Sequence, residues 1–184
     1  SWIRAELNIP VQFDKSEFVK ENMKMRRKER EVTDINEIKD ILAKAEVLRI
    51  SLNNGMYPYI LPVNYGFIMD ETHLMLFFHG SKEGSKHEII ANDPHVTFEV
   101  DCGHMVMQPI GEESCTSSFA YESVIGKGII EKANDAEKEN LLTILLAHYG
   151  IEAKKYNPIH LANTVVYKIN VIEYTAKHRI NDRI

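Results

Sequence analysis

The stretch His79-Gly80-Ser81-Lys82-Glu83-Gly84-Ser85-Lys86 is the densest set of chemically useful groups in this 184-residue chain. Its two glycines free the backbone to approach a ligand, and its two serines and two lysines supply donors. A helix beginning just after it aims unpaired amides and a positive end at the loop. This is chemistry suited to a phosphate. It is not a nucleotide-triphosphate P-loop, which needs four residues between its glycines and Lys-Ser or Lys-Thr after the second. Here three residues separate Gly80 from Gly84, and Ser85-Lys86-His87 follows. The same pattern also reads as a polar turn capping a surface helix.

Other chemistry finds less support. The histidines, His73, His79, His87, His95, His104, His148, His160 and His178, are scattered, and neither His-Glu-x-x-His nor a paired Cys-x-x-Cys occurs. Cys102-Gly103-His104 with Cys115 has the right residue types for zinc at a spacing that matches no recognised module, so no metal is expected. No Gly-x-Ser-x-Gly elbow offers an acyl-transfer serine. The basic run Lys24, Arg26, Arg27, Lys28 and Arg30 is balanced by Glu29 and Glu31 and reads first as a solvated arm, second as an anion or partner contact. With 27 acidic residues against 22 lysines and arginines, a net charge of -5 disfavours nucleic acid as a partner. Two cysteines suit a reducing compartment. No apolar run approaches the ~20 residues that span a bilayer, and the N-terminus lacks signal-peptide sections. A cytoplasmic protein with no membrane partner is the expectation.

The elements around the loop follow from periodicity. Residues 1–24 show no sustained period and read as an extension; a single domain is expected over 25–184. Asp34 with Glu37 three residues on, and Ile35, Ile38, Ile41 and Leu42 at helical spacing, predict a helix from Asp34 to Ala45. A strand over Val47–Leu52 ends at Asn53-Asn54-Gly55, whose last pair predicts a two-residue hairpin turn. The next strand runs from Tyr57 to Phe67, turns at Met69–Thr72 and returns over His73–His79, making a three-strand meander. Lys86–Asn92 predicts a short helix stopped before Pro94. From His95, Val96, Phe98 and Val100 alternate with Thr97, Glu99 and Asp101, as a half-buried strand requires. His104–Thr116 reads as a loop and Ser117–Lys132 as a long strand, where Gly126 and Gly128 mark a bend or a close approach. Asp135–Tyr149 reads as a helix closed by Gly150, and Thr164–Tyr174 as the last strand. The fold class is mainly β: a six-stranded antiparallel barrel with flanking helices, not a doubly wound sheet.

Taken in order, the segments Met25–Asp34, Pro62-Val-Asn-Tyr-Gly66, Phe78-His-Gly-Ser81 with Gly84-Ser-Lys86, Phe98-Glu-Val-Asp101 and Tyr121-Glu-Ser-Val-Ile-Gly-Lys-Gly128 resemble the nitroimidazole-resistance (Nim) type of flavoprotein, within the pyridoxamine 5'-phosphate oxidase-like split barrels. The resemblance covers about Met25 to Lys177. It implies an FMN-binding split barrel that forms a homodimer, with one flavin mononucleotide (FMN) in each of two clefts at the subunit interface. By the same resemblance Pro62, Val63, Asn64 and Tyr65 line the isoalloxazine ring with their backbone. His79, Gly80 and Ser81 line the ribityl chain and phosphate, Lys86 clamps the phosphate with Ser85 beside it, and Ser123 and Val124 reach the flavin from the other subunit. Pyridoxamine phosphate oxidases use a longer glutamine at that last place. They also carry more arginine around the substrate phosphate than Tyr121–Ile125 does, so oxidation of pyridoxamine phosphate is not the expectation.

The function so implied is reduction of a small electron-poor molecule, such as a nitroimidazole or a quinone, by a reduced nicotinamide, with the flavin doing the redox chemistry. His79 is the candidate catalytic residue, as proton donor or anchor; its other reading is a strand-end histidine capping the loop. Tyr65 and Tyr121 read as pocket wall or as barrel packing. A non-catalytic flavin carrier or sensor would require the same loop, and haem or a deazaflavin in the same cleft is a third reading.

Overall fold

The computed structural model describes residues 25–181, so the expected extension at 1–24 lies outside the described residues. Eight strands and four α-helices follow in the order β1 (Glu31–Val32), α1 (Ile35–Lys44), β2 (Leu48–Leu52), β3 (Tyr59–Val63), β4 (Tyr65–Met69), β5 (Leu74–Ser81), α2 (Lys86–Asn92), β6 (His95–Met107), β7 (Ser118–Lys132), α3 (Asp135–His148), α4 (Pro158–Asn163) and β8 (Thr164–Arg179). The strands pair antiparallel in the spatial order β3-β2-β6-β7-β8-β5-β4, with β1 attached to β8.

The two ends of that order, β3 and β4, are consecutive in the chain, with Asn64 alone between them. The run Tyr59–Met69 therefore gives its first half to β2, with Val63 opposite Leu48, and its second half to β5, with Tyr65 opposite Phe78. One continuous segment borders both edges and closes the sheet into a barrel. This is also why there are eight strands and not six. The single strand expected over Tyr57–Phe67 changes partner at Asn64, which a period-2 pattern cannot reveal, and β1 spans two residues, too few to show a period.

Three further expectations change. The β2–β3 connection is six residues, 53–58, because Leu52 pairs with Tyr59. Asn53 donates its side-chain amide to Asp93 Oδ2 at 2.7 Å, which ties the end of β2 to the start of β6 and widens the turn, and Gly55 takes φ +67° within it. The expected loop from His104 begins later, at residue 108: β6 passes a bulge between Cys102 and Met105 and pairs again, Met105 with Ala120 and Met107 with Ser118. A bulge shifts which face each residue presents, so the alternation read from His95 breaks there. β8 likewise runs on to Arg179, five residues beyond Tyr174.

Inward-facing residues fill the barrel: Leu48, Ile50 and Leu52 of β2, Val96, Phe98 and Val100 of β6, and Leu76 and Phe78 of β5 are buried. α1 closes one end with Ile38, Ile41 and Leu42, and its first turn is capped by Asp34, which accepts the Asn36 and Glu37 amides at 2.8 and 3.1 Å. A second apolar cluster lies outside the barrel, where Met75, Phe77 and Val166 meet Leu141, Leu142 and Leu145 of α3. Asn134 and Glu137 form a reciprocal capping box at the start of α3, and Gly150 follows its end at φ +70°.

β7 carries the closest backbone approach. Its ladder with β8 shifts at Lys127/Gly128, and a Cβ on Gly128 would overlap the Asn170 carbonyl oxygen and sit 3.0 Å from Ile169 Cγ2. Both obstacles belong to the barrel wall and cannot swing aside. Gly128→Ala is expected to destabilise the fold by about 1–3 kcal/mol, read as a lower urea midpoint at unchanged slope.

Candidate functional site

The site grows from the place where β5 leaves the core. Leu74 to Phe78 are all buried, because Leu74, Leu76 and Phe78 face the barrel interior while Met75 and Phe77 face α3. From His79 onward neither layer covers the strand, and polar groups emerge together. Ser81 Oγ accepts the Glu83 amide at 3.2 Å, and Lys86 Nζ donates to the Glu83 carbonyl at 3.1 Å. Lys86 is thereby folded back over the glycines: a Cβ on Gly80 would meet its Cε at 3.1 Å and its Nζ at 3.4 Å. A Cβ on Gly84, where φ is +116°, would meet the same Nζ at 3.4 Å. The loop is a cradle whose floor lacks side chains and whose rim is an ammonium group. Ser85 makes no side-chain cap to α2, which leaves its hydroxyl directed elsewhere than the helix.

Asn64 and His79 are exposed and stand one position beyond the Tyr65–Phe78 pair, at the end of the same ladder. The structure thus assembles Asn64, His79, Gly80, Ser81, Ser85 and Lys86 at one end of β4–β5, with Pro62 and Val63 arriving along the bent run. Partial burial pushes the His79 pKa down, which favours the neutral ring. The backbone of His79 pairs with Val166 in the β5–β8 ladder, while its ring makes no hydrogen bond among the described residues. Tyr65 is fully buried: its hydroxyl donates to the Leu42 carbonyl at 2.6 Å and its amide donates to Tyr149 Oη at 3.0 Å. Its side chain is barrel packing, and burial raises its pKa far above the usual range.

Val124 stands in one row with Val63, separated from it by Val100 and Leu48 on the intervening strands. Its side chain is fully buried, so only its backbone is available to a ligand. Ser123 is nearly buried, between Asp101 and Lys177 on neighbouring strands. Only β8 lies between this pair on β7 and the loop residues leaving β5, but the two sets are ten positions apart along it, Val124 opposite Ala176 and His79 opposite Val166. Although Tyr121–Ile125 contains no arginine, Arg179 lies opposite Tyr121, and Arg30 Nη1 donates to the Tyr121 hydroxyl at 3.5 Å. Tertiary structure supplies guanidinium groups that the segment itself lacks.

Sequence reasoning missed a charged set beside Pro62. Arg49, opposite Pro62, pairs with Glu99 at 3.1 Å and Asp101 at 2.7 Å, and His104 Nε2 reaches Asp101 at 3.1 Å. Alternation placed Glu99 and Asp101 on the outer face, but only the register shows their partner. The Cys102 thiol is pushed up to about 11, by burial first and by Glu122 second, so it is a poor nucleophile. Among the described residues no group of three or more His, Cys, Asp or Glu side chains could hold a metal ion, and no helix is long and apolar enough to cross a membrane.

The family model for pyridoxamine 5'-phosphate oxidase matches residues 34–178. Comparison with curated proteins finds no match. Among solved structures, the chain is similar to a candidate 5-nitroimidazole antibiotic resistance protein from Bacteroides thetaiotaomicron, at 25% identity and a TM-score of 0.69 over 80% of this chain and 86% of that one. An FAD- and haem-binding protein from Mycobacterium smegmatis shares the fold at 21% identity, with a TM-score of 0.70 over 81% of this chain and 73% of that one. A flavocytochrome from Azotobacter vinelandii shares it at 16% identity, with a TM-score of 0.64 over 80% of this chain and 68% of that one.

His148 packs against the rings of Tyr65 and Tyr149 and donates from Nε2 to the Ala45 carbonyl at 3.0 Å, and burial pushes its pKa down, as for His79. A depressed folded value means that the unfolded chain takes up the proton first. Stability is complete above the unfolded value of about 6.5 and is lost as pH falls toward the folded one. The urea midpoint should drop between pH 7.5 and 5.5. His148→Gln, which keeps a donor for Ala45, should shrink that drop.

Proposed function

The chain belongs to the pyridoxamine 5'-phosphate oxidase family, and from that premise we propose that it binds FMN at the interface of a homodimer and reduces small electron-poor molecules, such as nitroimidazoles or quinones, with a reduced nicotinamide as donor. The observation that carries this reading is the Lys86 ammonium folded over Gly80 and Gly84, where any Cβ would crowd it. A cationic rim above a bare backbone floor fits a dianionic phosphate ester. The likeness to the Bacteroides thetaiotaomicron protein supports a nitroimidazole as one substrate class.

Bound flavin supplies the two-electron chemistry. The chain's own residues bind, orient and shield. Lys86 and the Ser81 and Ser85 hydroxyls hold the phosphate. The backbone of Pro62, Val63 and Asn64 flanks the ring, and His79, neutral near pH 7, offers one N–H and one lone pair beside it as donor or anchor. Ser123 and Val124 lie about ten positions along β8 from the level of His79, a separation that favours their serving the site of a second copy. Ile60 and Ile125 are 67% and 42% exposed on the outer face of the sheet, apolar surface that a dimer would cover. A reducing, cytoplasmic setting accords with the two free cysteines, Cys102 and Cys115.

The purified protein should be yellow and release FMN on denaturation, identified by chromatography. A reduced nicotinamide should bleach it and a nitro compound restore its colour; FMN bound without bleaching would instead mark a carrier. Light scattering should give about twice the 21.2 kDa of the chain. Lys86→Ala should weaken FMN binding by about ten- to a hundred-fold in a fluorescence titration, since a charge-assisted contact is worth roughly 1.5–3 kcal/mol. Lys82→Ala, exposed in mid-loop, should bind like wild type, and the apo-protein melting of both should barely change. Equal affinities for Lys86→Ala and wild type would remove the phosphate cradle.

A further inference from the structure

Nothing in the phosphate-loop reading uses His87 or Tyr167, yet they join the loop to the barrel. Most bonds that shape residues 81–87 are internal to the loop: Glu83 to Ser81, Lys86 to Glu83, and the His87 amide to the Gly84 carbonyl at 3.4 Å. The His87 ring differs. Its Nε2 lies 2.9 Å from the Ser81 carbonyl, and its Nδ1 lies 2.6 Å from the Tyr167 hydroxyl on β8. Tyr167 is 5% exposed and is held by stacking on Phe78 at 5.6 Å and by the His87 ring itself at 5.8 Å.

The chemistry of the chain has a direction. The Ser81 carbonyl can only accept, so Nε2 carries the hydrogen. In the neutral ring Nδ1 is then the acceptor, and the Tyr167 hydroxyl must donate to it. Burial raises the Tyr167 pKa and keeps that donor protonated. The result is a relay of fixed sense, Tyr167 Oη–H to His87 Nδ1 and His87 Nε2–H to Ser81 O. One end is a core side chain and the other is the Ser81 carbonyl at the last rung of the β5–β8 ladder, so the His87 ring holds the start of α2 to both.

We propose that His87, held by Tyr167, is a positioning residue that keeps the Ser81–Lys86 loop closed before ligand arrives, so that the loop discriminates phosphate-bearing flavin from flavin without a phosphate. This rests on the phosphate-cradle reading. A glycine-containing loop without such a tie would be ordered by the ligand and would weaken its binding. With the tie, that ordering is complete in the free protein.

The test compares FMN with riboflavin, which lacks only the phosphate, by fluorescence titration of the full chain. His87→Ala should weaken FMN by about ten-fold and leave riboflavin unchanged. His87→Gln should restore most of the loss, because its amide nitrogen occupies the place of Nε2, whereas His87→Asn, which reaches only the place of Nδ1, should not. Tyr167→Phe should weaken FMN in the wild-type background and have no effect beside His87→Ala. In the flavin-free protein, the Ser81–Lys86 amides of His87→Ala should exchange hydrogen about ten-fold faster. Equal losses for both flavins, failure of glutamine to rescue, or an undiminished Tyr167→Phe effect beside His87→Ala would overturn the assignment. A wild type that binds FMN no better than riboflavin would overturn the phosphate cradle instead. In that case the exchange rates alone decide whether His87 holds the loop.

Discussion

The barrel depends on one segment having two partners. Tyr59–Met69 pairs with β2 before Asn64 and with β5 after it, so both free edges of an otherwise open sheet are consumed by a single bent strand. Edges left open would expose unpaired amides and carbonyls, and the chain would gain neither an enclosed core nor a fixed rim. Because the bend lies at Asn64, it sets that residue beside His79 at the end of the β4–β5 ladder. The constraint that closes the fold therefore also places one wall of the candidate site.

The other wall follows from layering. β5 is covered by the barrel interior on one face and by α3 on the other as far as Phe78, and by neither beyond it. Polar residues are tolerated only past that limit, so the change from buried to solvent-facing falls at the boundary between scaffold and loop. α3 is itself tied to the barrel by hydrogen bonds at its end. His148 donates to Ala45, and Tyr149 accepts the Tyr65 amide and donates to the Glu46 carbonyl at 2.8 Å. The helix that defines where the site begins is thus fixed to the segment joining α1 to β2.

Much of this was legible in order along the chain. The capping of α1 by Asp34, the α2 and α3 spans, the alternation of β6 and the glycine-containing loop all rest on interactions between residues a few positions apart, where spacing is a direct record of geometry. The family resemblance drew on the same short motifs, and the family model now spans residues 34–178. Local signals failed where a local pattern served a distant partner. Asn53 widened a turn because Asp93 lies beside it, the Cys102–Met105 bulge inverted the alternation of β6, and Asn64 divided one extended run between two strands.

The amino-acid sequence by itself determined a mainly β chain with flanking helices and a glycine, serine and lysine loop between β5 and α2. Those features follow from residue type and short-range spacing. Only the tertiary structure decided that Arg49 would meet Glu99 and Asp101, that Arg30 and Arg179 would flank Tyr121, that the Tyr65 side chain would turn into the core, and that His87 would link Ser81 to Tyr167. Each of these depends on strand register. A shift of one residue would turn Arg49, Tyr65, Tyr121 and Tyr167 to the opposite face and away from these partners, and register is set by the closure of the whole barrel rather than by any segment within it.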